Sequence, residues 1–94
     1  SEEFGKVNRM SFKGQIFFVS IDSMMEQINF NIENSKIELN FNDAHLWDDS
    51  AVDAIDTIVR KFEEKNNIVH VEKLNSDSRK IVSELSKLNE NHLN

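Results

Sequence analysis

The chain has 94 residues, 17 acidic against 11 basic side chains, a net charge of −6 and a hydrophobic content of 38%. That suffices for one small domain with a modest core and not for two. The acidic balance argues against nucleic acid and against docking on anionic lipid head groups. The lack of cysteine excludes disulfides and thiolate metal sites.

In chain order, Ser1 to Gly5 reads as a frayed start. Lys6 to Phe12 alternates apolar Val7, Met10 and Phe12 with polar neighbours, a strand pattern. Lys13-Gly14 signals a turn, and Gln15 to Val19 reads as a second short strand, so a hairpin is expected. Ser20 is placed to cap a helix over Ile21 to Phe30, with Ile21, Met24, Met25 and Ile28 inward. Asn29 to Asn34 is rich in turn-formers. Lys36 to Phe41 alternates Ile37, Leu39 and Phe41 with polar residues and predicts a strand. Phe12, Phe17, Phe18 and Phe41 all fall on expected strands and are assigned to the core.

The stretch Asp43 to Val59 organises the chain. It reads as a strand end, a short acidic turn, and an amphipathic helix. Asp48, Asp49 and Ser50 are all favourable helix-starting residues. Ala51, Val52, Ile55, Ile58, Val59 and Phe62 follow the spacing of one buried helical face. Asp53, Asp56, Arg60, Lys61 and Glu63 fall outside that stripe, with Asp56 and Arg60 at pairing distance along the helix. The helix is expected to end near Lys65-Asn66-Asn67. Ile68 to Val71 predicts a short strand. Asn75 or Ser76 caps a last helix with Ile81, Val82, Leu85 and Leu88 on one face, and Asn89 to Asn94 reads as a polar, disordered tail. The expected order is β-β-α-β-α-β-α, an α/β domain with a mixed, mostly parallel sheet. The whole of 1–94 is read as a single domain, its ordered core spanning about 6–88.

No apolar run approaches the length of a membrane span; Ile16-Phe17-Phe18-Val19 is far too short. No secretory leader is visible, and the chain starts with Ser1 rather than Met, so a piece of a longer protein is expected.

Four stretches carry a resemblance. They are Lys13-Gly14-Gln15-Ile16-Phe17-Phe18-Val19-Ser20, Ile37-Glu38-Leu39-Asn40-Phe41, Trp47-Asp48-Asp49-Ser50-Ala51-Val52 with Ala54-Ile55-Asp56, and Val71 to Ser78. In that order they resemble STAS domains. They are most similar to the cytosolic STAS domain at the C-terminus of SulP-type anion transporters. The resemblance covers roughly Lys6 to Leu88. It implies a STAS fold and a non-enzymatic regulatory domain contacting the transporter's membrane part or a soluble partner. It implies a position on the cytoplasmic side of the inner membrane of a bacterium. The transported ion would be sulfate, bicarbonate or a related anion, with its path in the membrane part.

The site residues follow. Ser50 lies in the first turn of the organising helix, where it is a cap or a modifiable hydroxyl facing the amide groups. In free-standing STAS antagonists of anti-sigma factors the serine in the matching place is phosphorylated, which gives the alternative reading of a kinase-switched protein. This sequence has Ala51 where those proteins carry glycine and Asp49 where many carry serine. As a hydrolytic nucleophile Ser50 lacks flanking glycines and an evident base, so no catalytic residue is assigned. His45, Asp48, Asp49 and Asp53 lie within one span, yet their spacing matches no ligand loop. They are read as a solvated acidic turn, and no metal or cofactor is expected. His70 is placed in a strand and His92 in the tail. Nucleotide binding could rest only on the amides at the Ser50 helix start, a weak and acid-flanked site. Trp47 is either packed in the core or partly buried, or a partner anchor. The face Trp47, Asp48, Asp49, Ser50 and Asp53 is the expected contact surface.

Overall fold

Helices that return the chain across a sheet allow each new strand to run parallel to the last. The computed structural model describes residues 6–86, 88, 92 and 93. Its elements alternate as β1 (Val7–Ile16), α1 (Ile21–Glu26), β2 (Lys36–Leu46), α2 (Asp49–Glu63), β3 (Ile68–Glu72) and α3 (Ser76–Leu85). The three strands form one sheet in the order β1-β2-β3. Both pairings are parallel, from Val7↔Lys36 to Ile16↔Leu46 and from Lys36↔Ile68 to Asn40↔Glu72.

The α/β class holds, but the expected hairpin does not form. Lys6–Phe12 and Gln15–Val19 were expected to double back; instead β1 runs straight through Lys13-Gly14. Gly14 takes φ 85 without reversing the chain, as glycine does at a kink within a strand as well as in a turn. A hairpin would have made the sheet mixed; among the described strands it is wholly parallel.

β2 is longer than its expected Lys36–Phe41 and takes in His45 and Leu46. Its register against β1 shifts by one residue between Ser11 and Lys13. The extra residue lies in β2, where the Asn42 N–H turns to the Asn40 side-chain oxygen at 2.8 Å. This bulge resets the alternation, so Ala44 and Leu46 stay on the buried side with Ile37, Leu39 and Phe41. Phe12 stacks on Phe41 with centroids 4.6 Å apart.

α2 supplies the other wall of the core. Ala51, Val52, Ile55, Ile58, Val59 and Phe62 are all buried, as their spacing predicts, and Ala54 joins them. Arg60 pairs with Glu64 at 3.2 Å, not with Asp56, and Asp56 accepts the Ser86 hydroxyl at 2.6 Å. α3 is capped by Asn75, whose side chain accepts the Ser78 N–H at 2.8 Å. Val82 is buried and Ile81 half-buried, whereas Leu85 is exposed.

Three further expectations change. α1 stops at Glu26 rather than Phe30; Ile28, Phe30 and Ile32 leave the helix and pack against the core from the loop. Phe18 is 69% exposed, because β1 ends at Ile16 and the chain turns outward. The tail is not free at His92 and Leu93: the Val71 N–H donates to the His92 carbonyl at 2.6 Å and Leu93 bridges Val71. An unpaired strand edge attracts such a partner. The expected frayed start, Ser1 to Gly5, and the tail positions 89–91 and 94 lie outside the described residues.

Candidate functional site

The C-terminal ends of parallel strands are where connecting loops gather. Here the loop after β1 (Phe17 to Ser20) and the short one after β2 (Trp47 and Asp48) meet. The Trp47 N–H donates to the Ile16 carbonyl at 3.0 Å, fixing the second loop on the end of β1. The first loop is tightened by Ser20. Its hydroxyl lies 3.1 Å from the Phe17 carbonyl and 3.2 Å from that of Gln15, and accepts the Phe17 N–H at 3.2 Å. Ser20 therefore locks a turn and makes no side-chain cap to α1.

Asp48, not Ser50, caps α2. One carboxylate oxygen accepts the Ala51 N–H at 3.0 Å and the other the Phe18 N–H at 3.3 Å. One side chain thus ends a helix and ties the two loops together. It also places negative charge on the helix amides, the position an anionic ligand would want.

Trp47 is 57% exposed and so is not in the core, although one side of it is packed. Its ring lies against His45 with centroids 4.6 Å apart. The His45 Nδ1 is in turn 3.4 Å from the Asn75 side-chain nitrogen, so the platform beneath Trp47 is held from α3. On the adjoining loop, which Asp48 ties to this one through the Phe18 N–H, Phe18 and Val19 are also exposed, Val19 at 65%.

Ser50 is half-buried and Asp49 and Asp53 are exposed. Ser50 and Asp53 join Ile21, Asp22, Met25, Ala54 and Thr57 around a shallow depression of about 330 Å³ between the starts of α1 and α2. Asp22, Asp49 and Asp53 make no salt bridge among the described residues. The structure therefore brings all five expected residues to one edge, with Asp48 inward in its bonding, Ser50 half-buried, and Trp47, Asp49 and Asp53 exposed. No group of three His, Cys, Asp or Glu side chains that could hold a metal is found among the described residues. His70, expected in a strand, is on β3 and half-buried, and His92 pairs with Glu63 at 2.7 Å, both remote in sequence from this edge.

Sequence reasoning missed Phe18, Val19, Ile21, Asp22 and Met25 as parts of this edge. The available signal was length: Phe17, Phe18 and Val19 continue an apolar run past the point where β1 has a partner to pair with. Ser78 was missed as well. It is fully buried and its hydroxyl accepts the Leu46 N–H at 3.1 Å, closing the end of β2 that β3 does not reach.

Residues 2–93 match the STAS domain family. The chain belongs to that family. This STAS domain is 30% identical over 81 residues to the candidate sulfate transporter YbaR of Bacillus subtilis (strain 168). That similarity covers 86% of this chain and 17% of YbaR, so the chain spans about a sixth of that relative's length. The solved STAS domain of a SulP transporter from Vibrio cholerae shares its fold with a TM-score of 0.64 at 14% identity, over 94% of this chain and 71% of that one. Among the described residues no helix is long and apolar enough to cross a membrane.

Proposed function

We propose that this STAS domain is a non-enzymatic regulatory and interaction module of a SulP-like transporter of sulfate or a related anion, held on the cytoplasmic side of the membrane. The similarity to a relative described as a candidate sulfate transporter, across nearly the whole STAS segment, supports the transporter context. One observation carries the contact surface: Phe18, Val19 and Trp47 come from two separate loops and stand exposed on one edge of the sheet. Leaving large apolar side chains in water costs free energy that a docked partner recovers. Ser50, at the lip of that edge, is the proposed regulatory position, since added charge there would meet the partner directly.

The parent reading frame tests the context. A long hydrophobic region upstream of this domain is expected, and its absence would sink the transporter reading. The contact surface is tested by capture: the 94-residue chain is offered the parent's separately produced membrane part. Wild type is expected to be retained and Trp47→Ala to be lost, with retention of both placing the contact elsewhere.

A further inference from the structure

The depression between the starts of α1 and α2 is an open strip with half-buried Ile21 and Met25 and buried Ala54 in its lining. The loops that carry Phe18, Val19 and Trp47 lead into those two helices and are tied together by the bond from the Phe18 N–H to Asp48. At about 330 Å³ and open along one side, it would leave a small ligand largely in water. Its form suits side chains laid in from a flat-lying element.

Both charged side chains that line the strip, Asp22 and Asp53, are carboxylates. Between Gly14 and Val59 the chain carries nine carboxylates and a single cation, Lys36. Lys36 opens β2 and so lies at the opposite end of the sheet. Asp22 flanks the strip from α1 and Asp53 from α2, both exposed and without an ion pair among the described residues.

We infer that the strip receives an amphipathic helix whose apolar face is bordered by Lys or Arg, supplied by a cytoplasmic segment of the transporter's own membrane part. This rests on the transporter reading above. Apolar anchors would enter between α1 and α2 in the helix-in-groove manner, while the basic border meets Asp22 and Asp53. Cytoplasmic loops of membrane proteins are enriched in Lys and Arg, so the membrane part offers the matching chemistry. The carboxylates would set approach and register, and the apolar floor would hold the complex once formed.

The test uses two synthetic helices with leucines at i, i+3, i+4 and i+7, one flanked by lysine and one by glutamate. Trp47, the sole tryptophan, reports docking by its emission. The lysine helix is expected to bind the chain with a blue shift of Trp47, and to weaken as salt is raised. The glutamate helix is expected not to bind. The double variant Asp22→Lys with Asp53→Lys is expected to lose at least about tenfold affinity for the lysine helix and to gain binding to the glutamate helix. Thermal unfolding checks that the variant is folded; if it is not, Asp22→Asn with Asp53→Asn takes its place, with the same loss expected.

Equal binding of the two helices, salt-independent binding, or an undiminished double variant would overturn the inference. Its failure is separable from that of the transporter reading. If Trp47→Ala abolishes capture by the membrane part while the Asp22 and Asp53 changes leave it intact, the contact surface stands and the basic partner falls.

Discussion

Where β2 and β3 begin, buried polar groups are satisfied, and the exposed apolar residues there, Val7 and Ile68, stand on the two outer strands. Where β1 and β2 finish, exposed apolar groups come from two loops tied together, beside carboxylates that make no ion pair among the described residues. At the first end, the buried Asn67 side chain accepts the Ser35 N–H at 2.9 Å and donates to the Ile32 and Phe62 carbonyls, each at 2.8 Å. Asn66, with φ 65, adds a bond to Asn34 at 2.6 Å. Asparagine tolerates that left-handed conformation at a helix end. At the second end the Asp48 carboxylate is consumed by the fold, through Ala51 and Phe18, while Asp22, Asp49 and Asp53 make no salt bridge among the described residues. An end whose groups bond one another has little left to offer a partner. An end that leaves Phe18, Val19 and Trp47 in water is suited to one.

Four substitutions test this contrast, and the strongest sets its scale. Ile55 is fully buried in the middle of α2, between the two ends. Ile55→Ala is expected to cost about 2–5 kcal/mol in a urea titration. A cost under about 1 kcal/mol would mean that the site collapses around the change and that core packing does not anchor either end.

At the closed end, Asn67→Ala removes three bonds and strands the Ser35 N–H. A loss of about 1–3 kcal/mol is expected, since a buried donor left unsatisfied bears its full desolvation cost. Asp48→Ala comes next. It removes the α2 cap, for which about 0.5–2 kcal/mol is typical, and frees the Phe18 N–H. Hydrogen exchange at Phe18 and Ala51 is expected to speed up while that at Val69 and Val71 is unchanged. Uniform acceleration would show that Asp48 supports the whole fold rather than this edge alone. The smallest effect is expected at Trp47: Trp47→Ala should shift stability by no more than about 0.5 kcal/mol while abolishing capture by the membrane part. A stability loss like that of Asn67→Ala would place Trp47 in the core and break the contrast.

The sequence by itself determined the α/β class and the buried face of α2, narrowed the cap of α3 to Asn75 or Ser76, and marked the stretch in which Trp47, Asp48, Asp49, Ser50 and Asp53 gather. Each of these rests on neighbours within a few residues, where apolar spacing and capping chemistry act directly. Tertiary structure decided the rest. Lys13-Gly14 suits a turn or a strand kink equally, and β2 pairing along the full length of β1 selected the kink. Phe18 has the composition of a core residue, but the core is defined by which strands have partners, and β1 stops pairing at Ile16. Asp48, Asp49 and Ser50 compete locally for the cap of α2. Asp48 holds it, and only that position also brings a carboxylate oxygen within reach of the Phe18 N–H, 30 residues away in sequence. Ser78 and Asn67 look like surface polar residues in sequence. Their burial follows from the Leu46 and Ser35 amides, which the sheet leaves without strand partners and which only the assembled fold brings to them.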